Sequence, residues 1–141
     1  MKNFKRLLLF ITVVSLLVLA FSGCRKEKIT KWRCVPYEGC LIEISVDHER
    51  DLVYVAADYH GFVPPNPSIQ YHFLFYDNTI LKKTGDHTLQ LLDQITHEPD
   101  LLTFLIASQS DETMDIIAIN FLNDCDAYSY YVTDYHFIRV S

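Results

Sequence analysis

Five side chains in the 141-residue sequence are of types that could converge on a metal ion or act as an acid/base set: Asp58, His60, His72, Asp134 and His136. Imidazoles titrate near neutrality and carboxylates orient them, so such a group could hold an ion or relay a proton. The tripeptide Asp58-Tyr59-His60 recurs as Asp134-Tyr135-His136, yet the flanks differ. Pairing of one member of each echo across strands is the blander reading. No Ser or Cys stands in a nucleophile elbow, and only four glycines are present, none in a phosphate-cradling loop. Asp124 and Asp126, or Asp111, Glu112 and Asp115, could hold calcium, but neither run has the spacing of a calcium-binding loop. The expectation is a protein that is not an enzyme, with no metal and no cofactor. The aromatics are more suggestive. Tyr59 and Phe62 lie in a proline-rich stretch, and Tyr128 and Tyr130 share one face of a tyrosine-rich strand. Exposed tyrosines offer large rigid contact area to a protein or glycan partner, so these four residues are the expected binding surface. The competing reading places them in the core.

Four cysteines carry separate chemistry. Cys34-Val-Pro-Tyr-Glu-Gly-Cys40 holds a Pro and a Gly, which favour a turn bringing the two sulfurs together. A disulfide there would contribute roughly 2 kcal/mol, and pairing either residue with Cys125 roughly 4.5 kcal/mol, on the loop-entropy model. Cys34–Cys40 is the favoured pair. A zinc site from three thiols and a histidine lacks the usual paired spacing.

The elements that must position these residues read as strands. Ile42, Ile44 and Val46 alternate with polar residues, 47–51 makes a turn, and 52–57 returns. Pro64, Pro65 and Pro67 forbid regular structure in 58–67. Strands follow over 69–76, 79–83, 101–107, 115–122, 128–133 and 135–140. Leu89, Leu92 and Ile95 stand at helical spacing, which predicts a short helix near 88–96, although Leu89 and Leu91 also alternate. About eight short antiparallel strands separated by turns imply an all-β sandwich or small barrel, with α+β as the alternative.

The N-terminus sets the location. Lys2, Lys5 and Arg6 precede an uncharged apolar run from Leu7 to Phe21, closed by Ser22-Gly23-Cys24. A membrane-crossing helix wants about 20 apolar residues, and this run is shorter, so a secretory signal is the better fit. Phe21-Ser22-Gly23-Cys24 resembles the lipobox of bacterial lipoproteins, and that resemblance implies acylation of Cys24 after the signal is cut. It further implies a chain held in the cell envelope, with Arg25 favouring the periplasmic leaflet of the outer membrane. Each buried methylene adds about 0.8 kcal/mol, so several acyl chains anchor durably. The expected organisation is a signal peptide over 1–23, a lipidated basic tether over 24–33 and a single acidic β-rich domain over 34–141. Ile29-Thr30-Lys31-Trp32 also resembles the first strand of lipocalin-like barrels, which implies a carrier of a small apolar ligand as the alternative to a binding module.

Charge supports the division. Residues 25–33 carry five basic groups and one acid, whereas residues 34–141 carry four against seventeen, a formal −13. So acidic a body excludes nucleic acid, whose phosphates require a basic face.

Overall fold

The computed structural model describes residues 27–120 and 128–140. Ten strands succeed one another: β1 (Ile29–Cys34), β2 (Leu41–Asp47), β3 (Leu52–Asp58), β4 (Gln70–Phe73), β5 (Ile80–Lys83), β6 (Thr88–Leu92), β7 (Pro99–Gln109), β8 (Thr113–Asn120), β9 (Ser129–Val132) and β10 (Asp134–Val140). Eight of them close an antiparallel barrel in the order β1-β2-β3-β5-β6-β7-β8-β10, with β10 returning to β1. Each wall strand pairs with the next wall strand in sequence, so the connectivity is up-and-down and the wall has no open edge. The remaining two, β4 and β9, form a separate parallel pair outside the wall.

The wall follows from the two-residue period. Thr30, Trp32 and Cys34 point inward from β1, Ile42 and Ile44 from β2, Val53 and Val55 from β3, and Tyr135 and Phe137 from β10. Bulges interrupt the ladders between Gln90 and Leu92, Thr103 and Phe104, and Ile106 and Ser108. An extra residue at such points lets a long strand bend around a small barrel. The 47–51 hairpin is closed by the buried Asp47, whose Oδ1 accepts from the backbone N–H of Glu49 (3.0 Å) and Arg50 (3.1 Å).

Antiparallel order places the start of β1 and turns 48–51, 84–87 and 110–112 at one end, here the tether end. Segments 35–40, 59–79, 93–98 and 128–133 lie at the other, distal end. The distal end is plugged. After Phe73 the chain leaves strand geometry, and the neighbours Leu74 and Phe75 are both buried. Phe75 packs with its ring centroid 4.6 Å from those of Phe104 and Tyr135 and 5.6 Å from Phe137. Tyr135 Oη donates to the Val132 carbonyl (2.6 Å) and accepts from Leu74 N–H (2.8 Å), tying the plug to both distal connections.

Four expectations are corrected. The segment expected as a helix near 88–96 is strand β6 followed by a turn, because Leu89 and Leu91 both face the core while Asp93 Oδ1 accepts from Ile95 and Thr96 N–H. Residues 29–33, read as tether, are β1, and Trp32 belongs to the core. Not every pairing is antiparallel, since β4 and β9 run parallel. Cys34 and Cys40 are free, buried thiols rather than a disulfide. Their turn is closed by a backbone bond from Cys40 N–H to the Tyr37 carbonyl (3.0 Å) and by Gly39 at φ +78°, while Cys34 faces the barrel interior. Among the described residues there is no helix, so the fold is an all-β barrel and the α+β alternative falls.

Candidate functional site

The distal end carries a continuous set of six aromatic rings drawn from four parts of the chain: Tyr37, Tyr59, Phe62, Tyr71, Phe73 and Tyr130. Their assembly starts from two glycines. A Cβ on Gly39 would lie 1.8 Å from the Gly61 carbonyl oxygen, so the β1–β2 turn lies directly on the loop after β3. That contact brings Tyr37 to Phe62, with centroids 5.7 Å apart. The loop is shaped by Asp58, whose Oδ1 accepts from His60 N–H (2.9 Å), and by a turn bond from Phe62 N–H to the Tyr59 carbonyl (3.1 Å).

Tyr59 stacks on Phe73 at 4.4 Å and 15°, and its hydroxyl donates to the Phe75 carbonyl at 2.5 Å. Phe62 stands edge-on to Phe73 (5.1 Å) and Tyr71 (5.5 Å). Tyr71 meets Tyr130 at 5.6 Å across the β4–β9 pair. Such tilted and stacked pairs contribute about 0.5–1.5 kcal/mol each beyond burial. Burial pushes the Tyr37 phenol above its ordinary pKa, helped by the neighbouring Tyr130. Burial likewise pushes up the Tyr59 phenol. Both hydroxyls therefore stay protonated as hydrogen-bond donors at neutral pH.

Three of the four residues expected as a surface, Tyr59, Phe62 and Tyr130, come together here. Tyr128 stands to one side, 71 % exposed, and joins through its backbone carbonyl, which accepts from Gln70 N–H (2.7 Å). Tyr37, Tyr71 and Phe73 were missed. Tyr71 and Phe73 share a face in a period-two run, a pattern equally suited to a core strand, and Tyr37 lies in a turn that local sequence does not place.

The titratable candidates are not brought together. His60 Nδ1 pairs with Asp58 Oδ1 (2.8 Å), and His72 stacks on Tyr131 (4.7 Å). His136 Nδ1 lies 2.5 Å from Asp115 Oδ1, on the neighbouring strand β8, rather than pairing with Asp134. Asp115 also accepts from the Ser108 hydroxyl, and these two bonds, that of His136 first, hold its carboxyl below the usual range. In this trio the carboxylate is central. The serine proton points to Asp115 and not to imidazole, so it is not the arrangement that activates a nucleophile. Among the described residues no three His, Cys, Asp or Glu side chains are grouped to hold a metal ion. Cys24, Asp124, Cys125 and Asp126 lie outside the described residues.

The six rings hold no nucleophile paired with a base. Five of them are half-buried against one another and the core, and Tyr130 is the exposed member through which the set can offer contact. Comparison with protein-family models, with curated proteins and with solved structures found no match to this chain.

Proposed function

We propose that this chain is a lipid-anchored lipoprotein of the bacterial envelope whose barrel presents its aromatic end to a partner and performs no catalysis. The observation that supports this reading is the polarity of the barrel. Cys24 precedes the first barrel strand by five residues, a span of at most about 18 Å fully extended. The proposed anchor thus joins the wall where β1 begins, and the aromatic rings sit at the opposite end of the wall. With strands of seven residues tilted as in small barrels, that separation is roughly 18 Å. A binding face on the far side of its anchor remains accessible to other envelope components.

The carrier alternative requires a ligand chamber. Phe75, Phe104, Tyr135 and Phe137 fill the interior instead. Among the described residues, the concavity at the tether end of the barrel, between Ile44, Val53, Leu89 and Met114, measures about 40 Å³. Small-molecule sites measure roughly 300–1,000 Å³. The binding-module reading is the stronger one.

Photo-crosslinking in cells tests it. Benzoylphenylalanine placed at Tyr130 is expected to yield a discrete adduct, and the same group at Glu49, in the tether-end hairpin, is expected to yield none. No adduct from position 130, or the same adducts from both positions, would defeat the proposal.

A further inference from the structure

Resting on that binding reading, we propose that the partner of the distal end is a Lys/Arg-rich peptide segment of another protein. The argument begins with where the charges lie. The distal segments 35–40, 59–79, 93–98 and 128–133, together with the adjoining strand ends Asp58 and Asp134, contain Glu38, Asp58, Asp77, Asp93, Glu98 and Asp134 but no Lys or Arg. The seven described Lys and Arg residues lie elsewhere, and four of them are in ion pairs. Lys28 meets Glu49 (2.8 Å), Arg50 meets Asp47 (3.9 Å) and Arg139 meets Glu27, all toward the tether end, while Arg33 meets Glu43 (2.8 Å) on the wall. Among the described residues, none of the six distal carboxylates is bridged by Lys or Arg. Backbone N–H donors hold Asp58 and Asp93 below the ordinary carboxylate range, so both remain ionised at neutral and mildly acidic pH.

Carboxylates alone would specify little. Here they share the distal end with the aromatic set, and ring faces attract ammonium and guanidinium groups electrostatically. A groove of about 330 Å³ at the same end is walled by Tyr76, Leu91, Leu92 and Ile95 and also bordered by Asp93 and Asp100. Apolar walls bordered by carboxylates match the anatomy of a Lys or Arg side chain, whose methylene stem prefers apolar surface and whose head prefers an anion. Anionic glycans, acidic headgroups and nucleic acid would be repelled by this field. A neutral glycan could stack on the tyrosines but would gain nothing from the carboxylates.

The test uses the full lipidated chain in uncharged detergent micelles, with fluorescein-labelled nona-arginine and nona-glutamate as probes, at about 150 mM salt so that distant charges are screened. Nona-arginine is expected to bind saturably and nona-glutamate not at all. A Glu38→Gln/Glu98→Gln/Asp134→Asn variant should weaken binding about five-fold or more, and so should Tyr71→Ala/Tyr130→Ala. The matched tether-end variant Asp86→Asn/Asp111→Asn/Glu112→Gln should change it by less than about two-fold. The proposal is overturned if nona-arginine fails to bind, if the two charge variants weaken binding equally, or if the tyrosine variant binds as the parent does. A crosslinked partner at position 130 without nona-arginine binding would keep the binding face and overturn the basic-peptide assignment.

Discussion

Single side chains hold this barrel together through atoms that have no substitute nearby. Trp32 is buried, and its indole N–H donates to Thr30 Oγ1 (3.1 Å), whose oxygen lies 2.9 Å from His48 Nε2. The Tyr135 hydroxyl satisfies a buried N–H and a carbonyl from two separate connections, and leaving such groups unpaired costs about 1–3 kcal/mol. Cys34 shows what burial does to a thiol. Desolvation pushes its pKa up to about 11, against a partial opposing effect from the His136 backbone hydrogen bond. An unfolded cysteine ionises near pH 9 and the folded one does not, so the unfolded chain releases a proton first. Stability is therefore full below about pH 9 and falls as pH rises toward 11, with a slope of about 1.4 kcal/mol per pH unit for one such group. The Tyr59 and Tyr135 phenols, raised by the same cause, add to the fall above about pH 10. Urea unfolding measured from pH 7 to 11 should show the decline, and Cys34→Ala should make it shallower. An identical slope in the variant would contradict the assignment of this thiol.

At the level of elements, the deciding features are a strand where local spacing suggested a helix and a turn that only glycine can make. Leu89 and Leu91 face inward because β6 has partners on both sides, Leu81 through Lys83 of β5 and Thr103 through Leu105 of β7. Those ladders satisfy backbone groups that a short helix over 88–96 would leave open, since a helix end carries four unpaired donors or acceptors. Gly39 is the hinge of the distal site. Its φ of +78° favours glycine, and a methyl group there would collide with the Gly61 carbonyl. Gly39→Ala is expected to cost at least about 1–2 kcal/mol and to weaken the near-ultraviolet circular dichroism of the tyrosines as Tyr37 leaves Phe62. Gly85→Ala is the control. A Cβ there would meet nothing closer than Thr88 Oγ1 at 3.7 Å, so its effect should lie between neutral and about 1 kcal/mol stabilising. Equal effects at the two positions would mean that the Gly39–Gly61 approach does not shape the site.

The molecule as a whole is polar from end to end. Basic residues gather near the start of β1, and the distal segments hold carboxylates without Lys or Arg. Under the lipoprotein proposal, a basic tether would gain about 1 kcal/mol per Lys or Arg against an anionic surface that repels the acidic end, so field and anchor would orient the barrel the same way. Fractionation tests the anchor directly. If acyl chains and not charge hold it, the parent chain should stay with membranes after a high-salt wash, whereas Cys24→Ala should move to the soluble fraction. Salt release of the parent, or membrane retention of the variant, would remove the basis of the lipoprotein proposal.

The residues alone determined that the body is all-β and that about eight strands of short length share one core. Period-two alternation is local, so Ile42, Ile44, Val53 and Val55 declare their inward face without reference to any partner. Three of the six site aromatics were also legible, because Tyr59 and Phe62 accompany a proline-rich break and Tyr130 lies on a strand too tyrosine-rich to bury both faces. Only the tertiary structure decided barrel over sandwich, the inclusion of 29–33 in the wall, the free state of Cys34 and Cys40, and the meeting of Tyr37 with Phe62 and Tyr71. Each of these depends on contacts between segments far apart in the chain, where register and closure, not local preference, choose the neighbour.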